Sequence, residues 1–243
     1  MENHPWFEVV TVAASPRSEG KTYEEAVGDR WKMQTPMPES VKSLVVMNVN
    51  EVEKVAAGVD FVFSAVDMSK EEIKAIEEAY AKTETPVVSN NSAHRWTKDV
   101  PMVIPEINPE HFEIIEAQKA RLGTERGFVA VKPNCSIQSY APVLTAWKEF
   151  EPTEVVATTY QAISGAGKTF AEWLEMVENI IPFIGGEEEK SEQEQGGESV
   201  DAFSLLSYVA CERTCKSRWI RCLQEGDESD ETKRCVCVAG RTC

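Results

Sequence analysis

Cys135 is the residue in this chain best suited to covalent chemistry. It sits in the segment Asn134-Cys135-Ser136-Ile137-Gln138, after the β-branched run Phe128-Val129-Ala130-Val131 and the break Lys132-Pro133. A helical pattern follows, from Ser136 to Phe150. This order predicts a strand-to-helix turn with the sulfur near a helix N-terminus. Backbone N–H groups and the helix dipole favour the thiolate there, the nucleophilic form. Cys135 is also the only cysteine in the first 210 residues, so no disulfide within that stretch can use it. The bland reading is a small buried hydrophobe at a strand end. Spacing alone leaves both readings open.

The elements that must position this thiol follow from alternation. Val9 to Ala14 reads as a strand and runs into the loop Ser15 to Lys21. Leu44 to Val49 and Asp60 to Val66 read as further strands, the latter with Phe61 and Phe63 on one face. Ser69-Lys70-Glu71-Glu72 is a capping box, which predicts a helix from there to about Lys82. Pro86 to Ser89, Met102 to Ile104 and Glu154 to Gln161 complete the strands. A Gly-rich turn, Ser164 to Lys168, precedes helical spacing from Thr169 to about Ile180 through Phe170, Leu174 and Val177. Strand–helix alternation of this kind indicates an α/β fold with a mostly parallel sheet.

Composition narrows the function classes. The chain has 243 residues, 42% of them hydrophobic, and a formal net charge of −16. That charge argues against a nucleic-acid or anionic-membrane surface. No stretch reaches the length of a membrane span and no basic-then-apolar leader opens the chain, so the expectation is a soluble cytoplasmic protein.

Six stretches in order resemble the aspartate-semialdehyde dehydrogenases, in particular the archaeal and fungal branch. They are Ala14 to Lys21, Ser89 to Arg95, Asp99 to Asn108, Lys132 to Ser136, Tyr160 to Gly167 and Gly185 to Lys190. The resemblance implies NADP-dependent conversion of aspartyl phosphate to aspartate semialdehyde. Cys135 would then form the thioester, with Asn134 beside it and Gln161 as a further catalytic residue. It also implies that Ser15, Arg17, Ser18, Lys21, Ser64, Ser164 and Gly165 contact NADP. Arg17 and Lys21 fit a 2′-phosphate, since an acidic residue in that loop would select NAD instead. Arg95, Glu187 and Lys190 are the implied substrate-binding residues, with Glu187 suited to the ammonium group. Family members are homodimers or homotetramers, and none of these residues implies a metal. His94 and His111 read as structural.

The resemblance also has gaps. The first strand of a Rossmann-type sheet and its Gly-rich phosphate turn would precede Val9, and no such motif lies in residues 1 to 30. That strand is central, so without it its two neighbours are left with unpaired edges inside the sheet. The family's downstream histidine and arginine have no counterpart after Lys190. From about Gln195 the composition changes, and six of the seven cysteines lie between Cys211 and Cys243. Their spacing, with no histidine nearby, does not match a zinc site. The expected organisation is a partial NADP-binding Rossmann domain over 1–133 and a partial α+β catalytic and dimerisation domain over 134–194. An unrelated, disordered tail would follow over 195–243. The alternative function is a non-catalytic fragment that docks on a full-length subunit.

Overall fold

The computed structural model describes residues 3–31, 33–151, 154–163, 171–181, 203–207 and 235–242, with the last two segments and positions 154 and 161 described for their backbone. The chain divides into two compact units. One comprises Met1–Val103 and Asn108–Lys132, the other Ile104–Ile107 and Pro133–Cys243. Among the described residues no helix is long and apolar enough to cross a membrane.

The first unit alternates strands and helices as the sequence predicts. β1 (Val12–Ala14) pairs in parallel with β2 (Val46–Asn48). The connection between them contains α1 (Tyr23–Val27) and α2 (Glu39–Lys42). α3 (Val52–Ala56) leads to β3 (Val62–Ser64), and α4 (Lys70–Lys82) to β4 (Val87–Ser89). α5 (Ile115–Leu122) leads to β5 (Val129–Val131). β3, β4 and β5 form a parallel sheet in that order, with Ser64 opposite Ser89 and Ser89 opposite Val131.

The expected capping box is present. The Ser69 hydroxyl accepts from the Glu72 amide while the Glu72 carboxylate accepts from the Ser69 amide, so α4 starts where the sequence says. A second box at Thr22 and Glu25 starts α1. Phe61 and Phe63 meet edge to face with centroids 5.2 Å apart.

Among the described residues β1–β2 and β3–β4–β5 are separate sheets with no ladder between β1 and β3. A shared apolar core holds them together. Val49 and Val55, which follow β2, pack with Tyr80 and Ala81 of α4, Val87 of β4 and Val129 of β5. The Tyr80 hydroxyl donates to the Val49 carbonyl at 2.8 Å, and burial pushes the phenol's pKa up to about 12.

Two side chains do work that backbone usually does. Gln118 of α5 is fully buried. Its Oε1 accepts from the Val129 amide at 2.6 Å and its Nε2 donates to the Val129 carbonyl at 3.0 Å. It thus pairs with β5 as a strand would. Glu84, at positive φ of 64°, accepts from the amides of Glu125, Arg126 and Gly127. Those bonds hold its carboxyl below the usual range. A Cβ on Gly127 would lie 1.8 Å from the Ala81 carbonyl oxygen, so this position requires glycine.

The second unit begins with α6 (Cys135–Ala146) and continues into β6 (Glu154–Gln161). β6 is the middle strand of a parallel sheet between β7 (Phe203–Ser207) and β8 (Cys235–Thr242).

Four elements differ from expectation. Met102 to Ile104 forms a single bridge from Met102 to Val131. Pro101 and Pro105 flank it and lack the N–H that a longer ladder needs. The helix expected to reach Phe150 ends at Ala146 and is followed by a 3₁₀ turn over Lys148–Phe150. Of the helix expected to about Ile180, the described part holds a 3₁₀ turn over Leu174–Met176. Leu174 and Val177 are exposed, so the apolar stripe there has no surface to bury against. The stretch expected to be disordered contains β7 and β8. Short runs such as Cys235-Val236-Cys237-Val238 are apolar and carry no polar alternation, so periodicity misses them.

Candidate functional site

Cys135 is exposed and is the first residue of the twelve-residue helix α6, rather than a residue of the turn before it. Asn134 is the N-cap. Its Oδ1 accepts from the Ser136 amide at 2.8 Å, which satisfies one of the first-turn donors. Gln138, one turn on, reaches back and donates to the Pro133 carbonyl at 3.0 Å. The Ser139 hydroxyl donates to the Ser136 carbonyl at 2.6 Å. Asn134, Ser136, Ile137 and Tyr140 are buried, so the thiol stands outward on a fixed base. Gln138 is a positioning residue to which the sequence reading gave no role. Its place one turn after the cap was the available signal.

Gln161 is the last residue of β6, at the strand's carboxyl end, opposite Thr242 of β8. Ser164, Gly165, Glu187 and Lys190 lie outside the described residues.

In the first unit, the loop after β1 is a tight turn. The Ser18 amide donates to the Ser15 carbonyl at 3.0 Å and the Gly20 amide to the Val46 carbonyl at 2.9 Å. Gly20 has φ of +78°, the left-handed region that glycine enters without penalty. Glu19 accepts from Asn48 Nδ2 and points back at β2. Arg17 and Lys21 are exposed, and among the described residues neither makes an ion pair.

A cleft of about 1550 Å³ opens beside this loop, lined by Ser15, Arg17, Ser18, Lys21, Ser64 and Glu77 among others. Five residues expected to contact one ligand therefore border one space. The cleft also runs along β1 and β3, at Ala13, Ala14, Val62 and Phe63. Among the described residues neither strand has a ladder partner towards this opening.

Arg95 lies in the turn after β4, its amide donating to the Ser92 carbonyl at 3.3 Å. His94 is buried with Nδ1 against the Thr97 hydroxyl at 3.1 Å. Burial lowers its pKa, opposed by the Glu77 and Glu78 charges and the Lys74 carbonyl. His111 Nδ1 sits 3.0 Å from the Met102 carbonyl. Both histidines are tied to the surrounding framework.

The chain is similar to known proteins over most of its length. Residues 1–115 match the family described as semialdehyde dehydrogenase, NAD binding domain. The aspartate-semialdehyde dehydrogenase of Methanothermobacter thermautotrophicus is 41% identical over 198 residues, covering 80% of this chain and 54% of that protein. That of Archaeoglobus fulgidus is 38% identical over 198 residues, with the same shares covered. The crystal structure of aspartate semialdehyde dehydrogenase with NADP from Candida albicans superposes with a TM-score of 0.67 and 30% identity. It covers 85% of this chain and 60% of the Candida chain. The chain spans about half the length of the curated relatives it matches.

Proposed function

We propose that this protein reductively dephosphorylates L-aspartyl 4-phosphate to L-aspartate 4-semialdehyde, a reading supported by its 38% and 41% identity to two aspartate-semialdehyde dehydrogenases over 80% of the chain. The observation that carries the proposal is Cys135, an exposed thiol on the first residue of a capped helix.

The sulfur attacks the acyl carbon, the C–O bond to phosphate breaks, and phosphate leaves with its electron pair. A thioester results. NADP in its reduced form, when bound, supplies the hydride that converts the thioester to the aldehyde. The C–S bond breaks and the thiolate returns. Splitting one displacement into two easier steps is the advantage of a covalent thiol. Asn134 and Gln138 hold the backbone beneath the sulfur. Gln161, Arg95, Glu187 and Lys190 are assigned to the substrate.

The first unit fits the dinucleotide. Arg17 and Lys21, which make no ion pair among the described residues, border its cleft of about 1550 Å³. Arg17, Ser18 and Lys21 would hold the 2′-phosphate, with Ser15, Ser64, Ser164 and Gly165 as further contacts. The same reading places the protein in the cytoplasm, in the supply of lysine, methionine and threonine, as a homodimer or homotetramer.

The test is turnover of aspartate semialdehyde with phosphate and NADP, followed by NADPH absorbance. Phosphate-dependent NADPH formation that disappears in Cys135→Ala supports the assignment. A rate equal to that of Cys135→Ala would sink it. It would favour a second reading, a non-catalytic chain that docks on a full-length subunit, which the unpaired β1 and β3 also favour.

A further inference from the structure

A buried carboxylate lies at the carboxyl ends of β3 and β4, and the reaction above gives it no role. Glu77 of α4 is 1% exposed. Its Oε1 accepts from three donors: Ser64 Oγ and Ser89 Oγ, both at 2.6 Å, and Asn91 Nδ2 at 3.1 Å. Its Oε2 has no hydrogen-bond partner among the described residues. Ser64 and Ser89 are partners in register on adjacent parallel strands. Ligands of parallel sheets bind beyond such strand ends. Ser64 and Glu77 both border the cleft.

The bonding fixes which way each hydrogen points. A serine hydroxyl has one hydrogen and two lone pairs. The Ser64 hydrogen is committed to Glu77, and one of its lone pairs receives Asn91 Nδ2 at 3.3 Å. Ser64 can therefore offer the cleft only a lone pair. The Asn91 amide turns its NH₂ inward to Glu77 and Ser64, which leaves its carbonyl as the outward group. Ser89 is committed in the same sense, donating to Glu77 and accepting from the Asn91 amide at 3.0 Å.

We propose that Glu77 is a positioning residue that makes Ser64 an obligate acceptor, so that this end of the cleft takes a neutral hydroxyl or amide donor and rejects phosphate. The inference rests on the cleft being the dinucleotide site. Such a ligand carries donors at both ends, on its riboses and its carboxamide, whereas phosphate oxygens offer lone pairs to lone pairs. Ser64 therefore belongs to a sugar or amide contact, and the phosphates belong to Arg17, Ser18 and Lys21.

Calorimetric titration of wild type, Ser64→Ala, Glu77→Leu and the double variant with NADP tests this, since leucine leaves no oxygen for the Ser64 hydroxyl to donate to. Each single variant is expected to bind NADP about tenfold more weakly, the worth of one hydrogen bond. The double variant should lose no more than either single, because Glu77 acts through Ser64. Nicotinamide mononucleotide and adenosine 2′,5′-bisphosphate as separate ligands show which half carries the donor. Competition by inorganic pyrophosphate, which has no such donor, should be the same in all four proteins. Unchanged NADP binding in Glu77→Leu, additive losses in the double variant, or a parallel loss of pyrophosphate binding each overturns the inference. If Glu77→Leu does not fold, Ser64→Ala decides alone: NADP must weaken and pyrophosphate must not. Wild type that binds none of these ligands refutes the dinucleotide reading itself, and the inference falls with it.

Discussion

A thiol is useful in proportion to what holds it still. Cys135 is exposed, while Asn134 and Ser136 on either side of it are buried. Native-state labelling with iodoacetamide should therefore modify Cys135 rapidly. Cys135→Ser should lower turnover by about three orders of magnitude or more, with an unchanged melting temperature. Resistance to labelling would refute the assigned role. Arg17→Ala should weaken NADP about 10- to 100-fold, as loss of a charged hydrogen-bond partner does, and leave NAD nearly unaffected; equal losses would remove Arg17 from the 2′-phosphate. His94 yields a prediction about pH. Burial depresses its pKa below the usual 6.5. On acidification the unfolded chain therefore takes up the proton first. The stability His94 contributes is present above the unfolded value of about 6.5 and is lost as pH falls through the folded one. Urea midpoints should drop as pH falls below that value, and His94→Gln should flatten the slope. An identical slope would show that another group is responsible.

At the scale of elements, side chains that complete backbone ladders are the sensitive points. Replacing Gln118 with leucine would strand the Val129 amide and carbonyl inside the core. The expected loss in urea unfolding is about 2–4 kcal/mol. Gly127→Ala should destabilise by about 1–3 kcal/mol or more, because a rigid backbone carbonyl occupies the place of its methyl. What the sequence revealed and what it hid follow from the same physics. Capping at Ser69, the β-branched strands and the loop at Ser15 are local codes, and each was readable. The Cys135 turn was readable to within one residue. Gln118 and Glu84 act on partners 11 and more than 40 residues away. Glu77 gathers donors from two strands and a turn. No local pattern marks such residues, since an amide or a carboxylate on a helix ordinarily faces solvent. β7 and β8 were invisible for a related reason: their ladder partner, β6, lies far away in sequence.

At the scale of the molecule, the first unit consists of two sheets joined by a core rather than by hydrogen bonds between them. A two-stranded pair is marginal without such packing. Native-state hydrogen exchange should show β1 and β2 opening at lower free energy than β3 to β5. Tyr80→Phe, which removes the bond to the Val49 carbonyl, should lower protection in β2 more than in β4. Equal protection across all five strands would mean that the core couples them fully. Among the described residues β1 and β3 each leave one strand border bare, and such a border is a template for another copy. Concentrated stocks should scatter more light with time and bind amyloid dyes. Val10→Lys, which sets a positive charge along one border of the cleft, should prolong their clarity.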